Sequence, residues 1–165
     1  MIVVSDTSPL RALQALELVG LLESIYRTVL IPPAVAGELG RDAPNLGPFR
    51  LADHAFIEIE KPKEDQLLSR LRAELDEGEA QALALAKQIG AELVLVDELA
   101  GRRAARRLGL EASGVLAVLV LAKYRGLVPQ VAPLLDRLDS RIRFRVSAAV
   151  RRRVLEDAGE SHGPE

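Results

Sequence analysis

Apolar residues recur along this chain with two different periods, and the alternation between them lays out the domain. Short β-branched or alternating runs at IVVS (2–5), TVLIP (28–32), FIEIE (56–60) and AELVLVD (91–97) have the character of strands. AELVLVD is the clearest buried strand, whereas FIEIE alternates and reads as half-buried or as an edge. Elsewhere the spacing turns helical, over segments 9–23, 33–40, 64–73, 77–89, 98–108 and 114–125. The punctuation agrees. Pro9 suits a first helical turn with Ser8 as its cap, and Pro32 and Pro33 open the next helix. Gly90 and Gly109 stand where helix C-termini are expected. Strands alternating with helices predict an α/β domain whose parallel sheet is covered on both faces.

No internal repeat or linker interrupts this pattern, and RDAPNLGPFR (41–50) reads as a Pro/Gly-rich loop. Residues 1–156 are therefore expected to form a single domain, and DAGESHGPE (157–165) a flexible C-terminal tail with no core to join. Leu, Val, Ile and Ala must fill the core, because aromatics are only 3% of the chain. Scattered as they are, Tyr26, Phe49, Phe56, Tyr124 and Phe144 make no base-stacking platform.

Cysteine is absent, which excludes disulfides and thiolate metal sites, and two histidines (His54, His162) disfavour a histidine-rich zinc site. The start lacks the pattern of a signal peptide, and VLAVLVLA (115–122) is too short to span a bilayer. A soluble, cytoplasmic protein with no membrane partner is expected. The net charge of −2 hides an uneven distribution, since 18 of the 22 basic residues are arginine. They gather in GRRAARR (101–107) and RLDSRIRFRVSAAVRRR (137–153), which describes either solvated helix faces or a surface for phosphates or an acidic partner.

Four carboxylates carry the candidate chemistry. Asp6 ends the first strand and Asp97 ends AELVLVD. In open α/β sheets ligands bind beyond the C-terminal ends of the strands, at the switch in strand order. Two central neighbouring strands would bring Asp6 and Asp97 into one crevice. Glu38 borders the apolar stripe of PPAVAGEL, and Glu79 stands beside the buried face of LDEGEAQALALA, three residues after Asp76. Gly78 permits a close approach by another backbone or a ligand. Taken alone, Asp6 and Asp97 read first as cap or turn residues, Glu38 as a charge in a short helix's last turn and Glu79 as a first-turn charge; the set of four points to a site. Gathered together they would repel, and a divalent cation would relieve both the repulsion and the cost of burial. Oxygen-only ligation suits Mg²⁺ or Mn²⁺, and such an ion serves phosphodiester hydrolysis without a Ser, Cys or His nucleophile. A phosphotransfer domain is disfavoured, because Asp6 is followed by Thr-Ser and not by the second Asp of a DxD motif.

VVSDTSPL, IPPAVAGEL, LDEGEAQALALA and LVLVDELAGRRAARRLGL, in that order and spacing, resemble the successive motifs of the PIN-domain family. GLEASGVLAVLVLAKYRGLV resembles the branch that includes VapC-like toxins, and the likeness covers residues 1–128 most clearly. It implies a three-layer α/β/α sandwich with a central parallel five-stranded sheet, and a ribonuclease dependent on Mg²⁺ or Mn²⁺. By resemblance the four acids fall on Asp6, Glu38, Glu79 and Asp97, with Glu98 the alternative for the fourth. Thr7, Ser8 and Asp76 would be auxiliary, and Arg102, Arg103, Arg106 and Arg107 would hold RNA where they face the cleft. Expected partners are RNA, a cognate antitoxin protein and a second copy of the chain. One departure stands out: Val96 occupies the place of a Thr or Ser that often precedes the fourth acid. The competing reading is a catalytically weak PIN-like module that binds a protein or RNA.

Overall fold

The computed structural model describes residues 1–160. Five short parallel strands form its sheet: β1 (Val3–Ser5), β2 (Val29–Ile31), β3 (Ile57–Ile59), β4 (Leu93–Leu95) and β5 (Ala112–Ser113). Their spatial order is β3-β2-β1-β4-β5. Val4 of β1 stands opposite Leu30 on one side and Val94 on the other, and Ser5 opposite Leu95. The chain steps outward from β1 to β3 and then returns across β1 to build β4. That reversal puts the switch point beyond the C-terminal ends of β1 and β4.

Nine α-helices cover the sheet among the described residues: α1 (Thr7–Ala15), α2 (Leu21–Tyr26), α3 (Pro33–Leu39), α4 (Gln66–Arg72), α5 (Glu77–Ile89), α6 (Leu99–Arg107), α7 (Val115–Tyr124), α8 (Ala132–Ile142) and α9 (Ala148–Asp157). The two-residue period of the strands divides the interior. Val3, Val29, Ile31 and Leu95 pack with α1, α2, α3 and α7 to α9, while Val4 and Val94 pack with α4, α5 and α6. The result is the expected α/β/α sandwich. Leu10, Leu13, Leu83 and Leu119 are fully buried, and each such side chain contributes about 1.5–3 kcal/mol of transfer free energy.

Three boundaries differ from expectation. The helix expected over 9–23 is two, because α1 closes at Leu16 and Glu17 turns left-handed at φ 58°. The N–H of Leu18 then donates to Leu13 O at 2.9 Å and that of Glu17 to Gln14 O at 3.0 Å. This closing pattern usually takes glycine at the left-handed position. The apolar pattern runs on because α1 and α2 bury their sides in the same layer. Ser8 is not the cap of α1: the helix begins at Thr7, and Asp6 holds the cap position without a capping side-chain bond. Finally, the folded chain reaches past 157 to Glu160. Its carboxylate accepts from the N–H groups of Val131 (2.6 Å) and Ala132 (3.0 Å) at the start of α8, and pairs with Lys123 at 3.0 Å. Residues 161–165 of the expected tail lie outside the described residues.

Candidate active site

Asp6 is placed by the ladder itself. Its N–H donates to Leu95 O at 2.9 Å, extending the β1–β4 pairing by one residue, and its backbone is extended at φ −81°, ψ 176°. The next residue is already helical, so the carboxylate is left at the switch point with α1 leading away behind it. Only 3% of Asp6 is exposed, and the same is true of Glu79. A solvated helix face does not explain either residue.

Glu79 arrives from the first turn of α5. Asp76 caps that helix, its Oδ1 accepting from the Glu79 N–H at 2.8 Å. Two glycines let the surrounding elements close in. A Cβ on Gly78 would sit 2.7 Å from Glu38 Oε1, and one on Gly101 would sit 3.2 Å from Glu79 Oε2 and 3.1 Å from Val96 Cγ2. Glu38 thus lies on the α5 backbone, while Thr7 Oγ1 donates to its Oε2 at 2.5 Å. Helices α1, α3, α5 and α6 therefore meet around the acids that β1 and α5 supply. Ser8, half-buried beside Thr7, has no side-chain partner among the described residues.

The electrostatics follow from this crowding. Burial pushes the Asp6 carboxyl up to about 7; the Thr7 N–H opposes the shift, and the charges of Asp76, Glu38 and Glu98 add to it. Burial likewise raises Glu79, reinforced by Asp76, Asp6 and Glu98. The acid beyond β4 that acts on both is Glu98, exposed at the cap position of α6.

Asp97 is held by contacts of its own. Its Oδ1 accepts from the Val115 N–H at 2.9 Å, capping α7, and stands 3.8 Å from Arg102 Nη2. Its Oδ2 is buried with no hydrogen-bond partner among the described residues. Burial raises its pKa, against the Val115 hydrogen bond and Arg102. Of the two candidates for the fourth acid, then, the structure brings Glu98 into the electrostatic neighbourhood of Asp6 and Glu79 and ties Asp97 to α7. Val96 is fully buried against Gly101 and presents no hydroxyl.

The four arginines of α6 do not form one surface. Arg102 bends back to Val96 O (3.1 Å) and Asp97, and Arg107 pairs with Glu74. Arg103 and Arg106 are exposed and have no side-chain partners among the described residues. The sequence reading missed three other arginines, Arg11, Arg141 and Arg143, which line a cavity formed with the loop after α3. Only the basic composition of segment 137–153 hinted at the last two.

Among the described residues no three Asp, Glu or His side chains are drawn together tightly enough to make a ready cation cage. The donors still suit a hard divalent cation. They are all oxygen, and Mg²⁺ takes one or two carboxylates directly while keeping much of its water. Two buried carboxylates with raised proton affinity, ringed by further acids, have the excess negative potential that a cation would neutralise.

The fold and site define a doubly wound parallel α/β domain with an acidic, oxygen-only crevice at its switch point. The profile of the family described as the PIN domain matches residues 2–160, and the chain belongs to that family, a nuclease-type fold. Comparison with curated proteins finds no significant match.

Proposed function

We propose that the protein is a ribonuclease dependent on Mg²⁺ or Mn²⁺, acting as the toxin of a toxin–antitoxin pair. The observation that carries the reading is the burial of Asp6 and Glu79 beside three further acids at the sheet's switch point. A fold that invests two buried, mutually repelling carboxylates there gains nothing in stability from them. Their use is to hold a cation.

Asp6 and Glu79 are assigned as the principal ligands, with Glu98 or Asp97 as the fourth acid. Glu38, oriented by Thr7, would tune the set or hold a water molecule. Asp76 fixes Glu79 through its backbone, and Ser8 borders the crevice. A bound divalent cation supplies water activation and stabilises negative charge developing on a phosphodiester. Arg102, Arg103 and Arg106 remain candidates for the RNA backbone; the pairing of Arg107 with Glu74 weakens its case. The partners are RNA, an antitoxin whose segment covers the acidic crevice, and a second copy of the chain. Exposed Tyr124 and Leu127 at the end of α7 support self-association. No helix among the described residues is long and apolar enough to cross a membrane, which is compatible with a cytoplasmic setting.

The test is cleavage of labelled RNA with Mg²⁺ or Mn²⁺ by protein freed of any antitoxin, beside Asp6→Asn and an EDTA control. A parallel measurement follows the rise in melting temperature on adding each cation, which reads binding without turnover. Cleavage that requires the cation and disappears in Asp6→Asn supports the proposal. One observation favours the competing interaction module, namely that the acids are not already drawn into a cage. Cation-independent melting together with intact RNA would establish that second reading instead.

A further inference from the structure

We propose that a cavity beside the acidic crevice is a subsite for the RNA backbone, with Arg143 its principal phosphate contact. The proposal rests on the ribonuclease reading and specifies where the strand continues beyond the bond to be cut.

The cavity, of about 640 Å³, lies between the loop after α3 and the C-terminal end of α8. Its volume falls within the range of small-molecule pockets and accommodates a nucleotide. Pro44, Leu46 and Ile142 give it apolar walls suited to a ribose or a base, and Arg11, Arg141 and Arg143 line it as well. Two of these arginines are committed to the protein. Arg11 Nη2 donates to Glu38 O (3.0 Å) and Arg41 O (2.7 Å), and Arg141 Nη1 to Ala15 O (3.2 Å). Those bonds fix the walls while the charges persist. Asp42 and Glu38 are the acids whose charge acts on Arg11.

Arg143 differs from both. It closes α8 in a left-handed conformation at φ 54°, a position that favours Gly or Asn, and among the described residues its guanidinium has no partner. A left-handed arginine at a helix end is not selected by backbone preference. A planar five-donor group lining a cavity is suited to a phosphate.

Position ties the cavity to the crevice. Thr7 holds the Glu38 carboxylate and Arg11 holds the Glu38 carbonyl. The two are four residues apart on α1, about 6 Å along the axis. A strand with its scissile phosphate at Asp6 and Glu79 would run from the Thr7 end of α1 past Arg11 to enter the cavity. An acidic peptide could satisfy the same guanidinium, but nothing would carry it on into the acid cluster. The substrate of the proposed reaction has to occupy both places.

The test is fluorescence anisotropy of a labelled single-stranded RNA on the full chain carrying Asp6→Asn, with and without Arg143→Asn, over a range of salt. Asn suits the left-handed position, so the variant retains the fold, which melting verifies. Arg143→Asn is expected to weaken binding about tenfold and to make the salt slope shallower by about 0.7. Arg143→Lys should restore part of both, as a charge without the planar fork. Unchanged affinity and slope would overturn the subsite, as would an oligoglutamate peptide that depends on Arg143 when RNA does not. Cation-dependent cleavage with a KM indifferent to Arg143 would remove the subsite and leave the ribonuclease standing. Arg143-dependent binding of RNA that wild type never cuts would keep the subsite and remove the hydrolysis.

Discussion

Replacing Asp6 by Asn should make the cation-free protein more stable at alkaline pH, although Asp6 is the residue most central to the proposed activity. The carboxyl is 3% exposed, and its pKa moves from the ordinary 3.8 to about 7, chiefly through burial. A folded-state pKa above the unfolded one means that the folded protein binds the proton more tightly. Its contribution is complete below about pH 4 and is lost as pH rises, levelling off above about pH 7. At about 1.4 kcal/mol per pH unit, the ceiling on that loss is about 4 kcal/mol, of which about 3 falls between pH 5 and 8. Water entry and relaxation reduce such figures, so about half is expected. The neutral Asn isostere lacks this pH dependence. The melting temperature of Asp6→Asn should therefore gain about 3–6 °C on wild type between pH 5 and pH 8 in EDTA. Circular dichroism melts at the two pH values measure it. Adding Mg²⁺ or Mn²⁺ at pH 8 should raise wild type and leave the variant where it was. A gap that is the same at both pH values, or a variant less stable at pH 8, would mean that the Asp6 charge is already compensated within the fold. The case for a cation would then lose its electrostatic basis.

The other predictions probe the ring around Asp6. Gly78→Ala should keep its melting temperature within a few degrees, because the clash falls on the flexible end of Glu38, but should lower the cation-induced shift and cleavage about tenfold; an unchanged response would show that the position of Glu38 is immaterial. Glu98→Gln should reduce the cation response with little effect on cation-free melting. Asp97→Ala should instead cost about 1–2 kcal/mol of stability in urea titrations, through loss of the α7 cap; the reverse pattern would make Asp97 the fourth acid. Glu160→Ala should cost a similar amount, since its carboxylate serves two N–H groups of α8 and Lys123. Urea melts that show no loss would place the last described turn outside the cooperative unit.

Where the sequence was informative, one interaction dominated. Strands β1, β2 and β4 are buried by their own apolar runs, so burial and pattern agreed. Gly90, left-handed at the end of α5, is a local signal that means the same thing in most contexts. Strand β5 was not legible from the residues. Ala112 and Ser113 have no strand pattern of their own and are held by pairing with Val94 and Leu95 at the end of a formed sheet. The end of α1 was hidden for a related reason. Glu17 adopts the left-handed turn that glycine would have announced, and the stop depends on where Leu13 and Leu18 must pack.

The site shows the same division at higher resolution. That acids follow β1 and β4 is a linear fact, and the parallel sheet turns it into proximity. Which acid follows β4 into the crevice is not linear. Asp97 and Glu98 are neighbours, of which Asp97 accepts from the Val115 N–H at the start of α7 and Glu98 holds the cap position of α6. The residues after β5, the strand that sequence could not reveal, bring the Val115 N–H to the Asp97 carboxylate. Arg102 sits one turn after Glu98, its N–H bonded to Glu98 O, and its guanidinium stands 3.8 Å from the Asp97 carboxylate. A short edge strand of two residues thus leads directly into the contact that holds Asp97. Reinforcing the existing Leu95–Ser113 pairing with Ser113→Val should alter melting and cation response together, whereas a change confined to melting would separate β5 from the site.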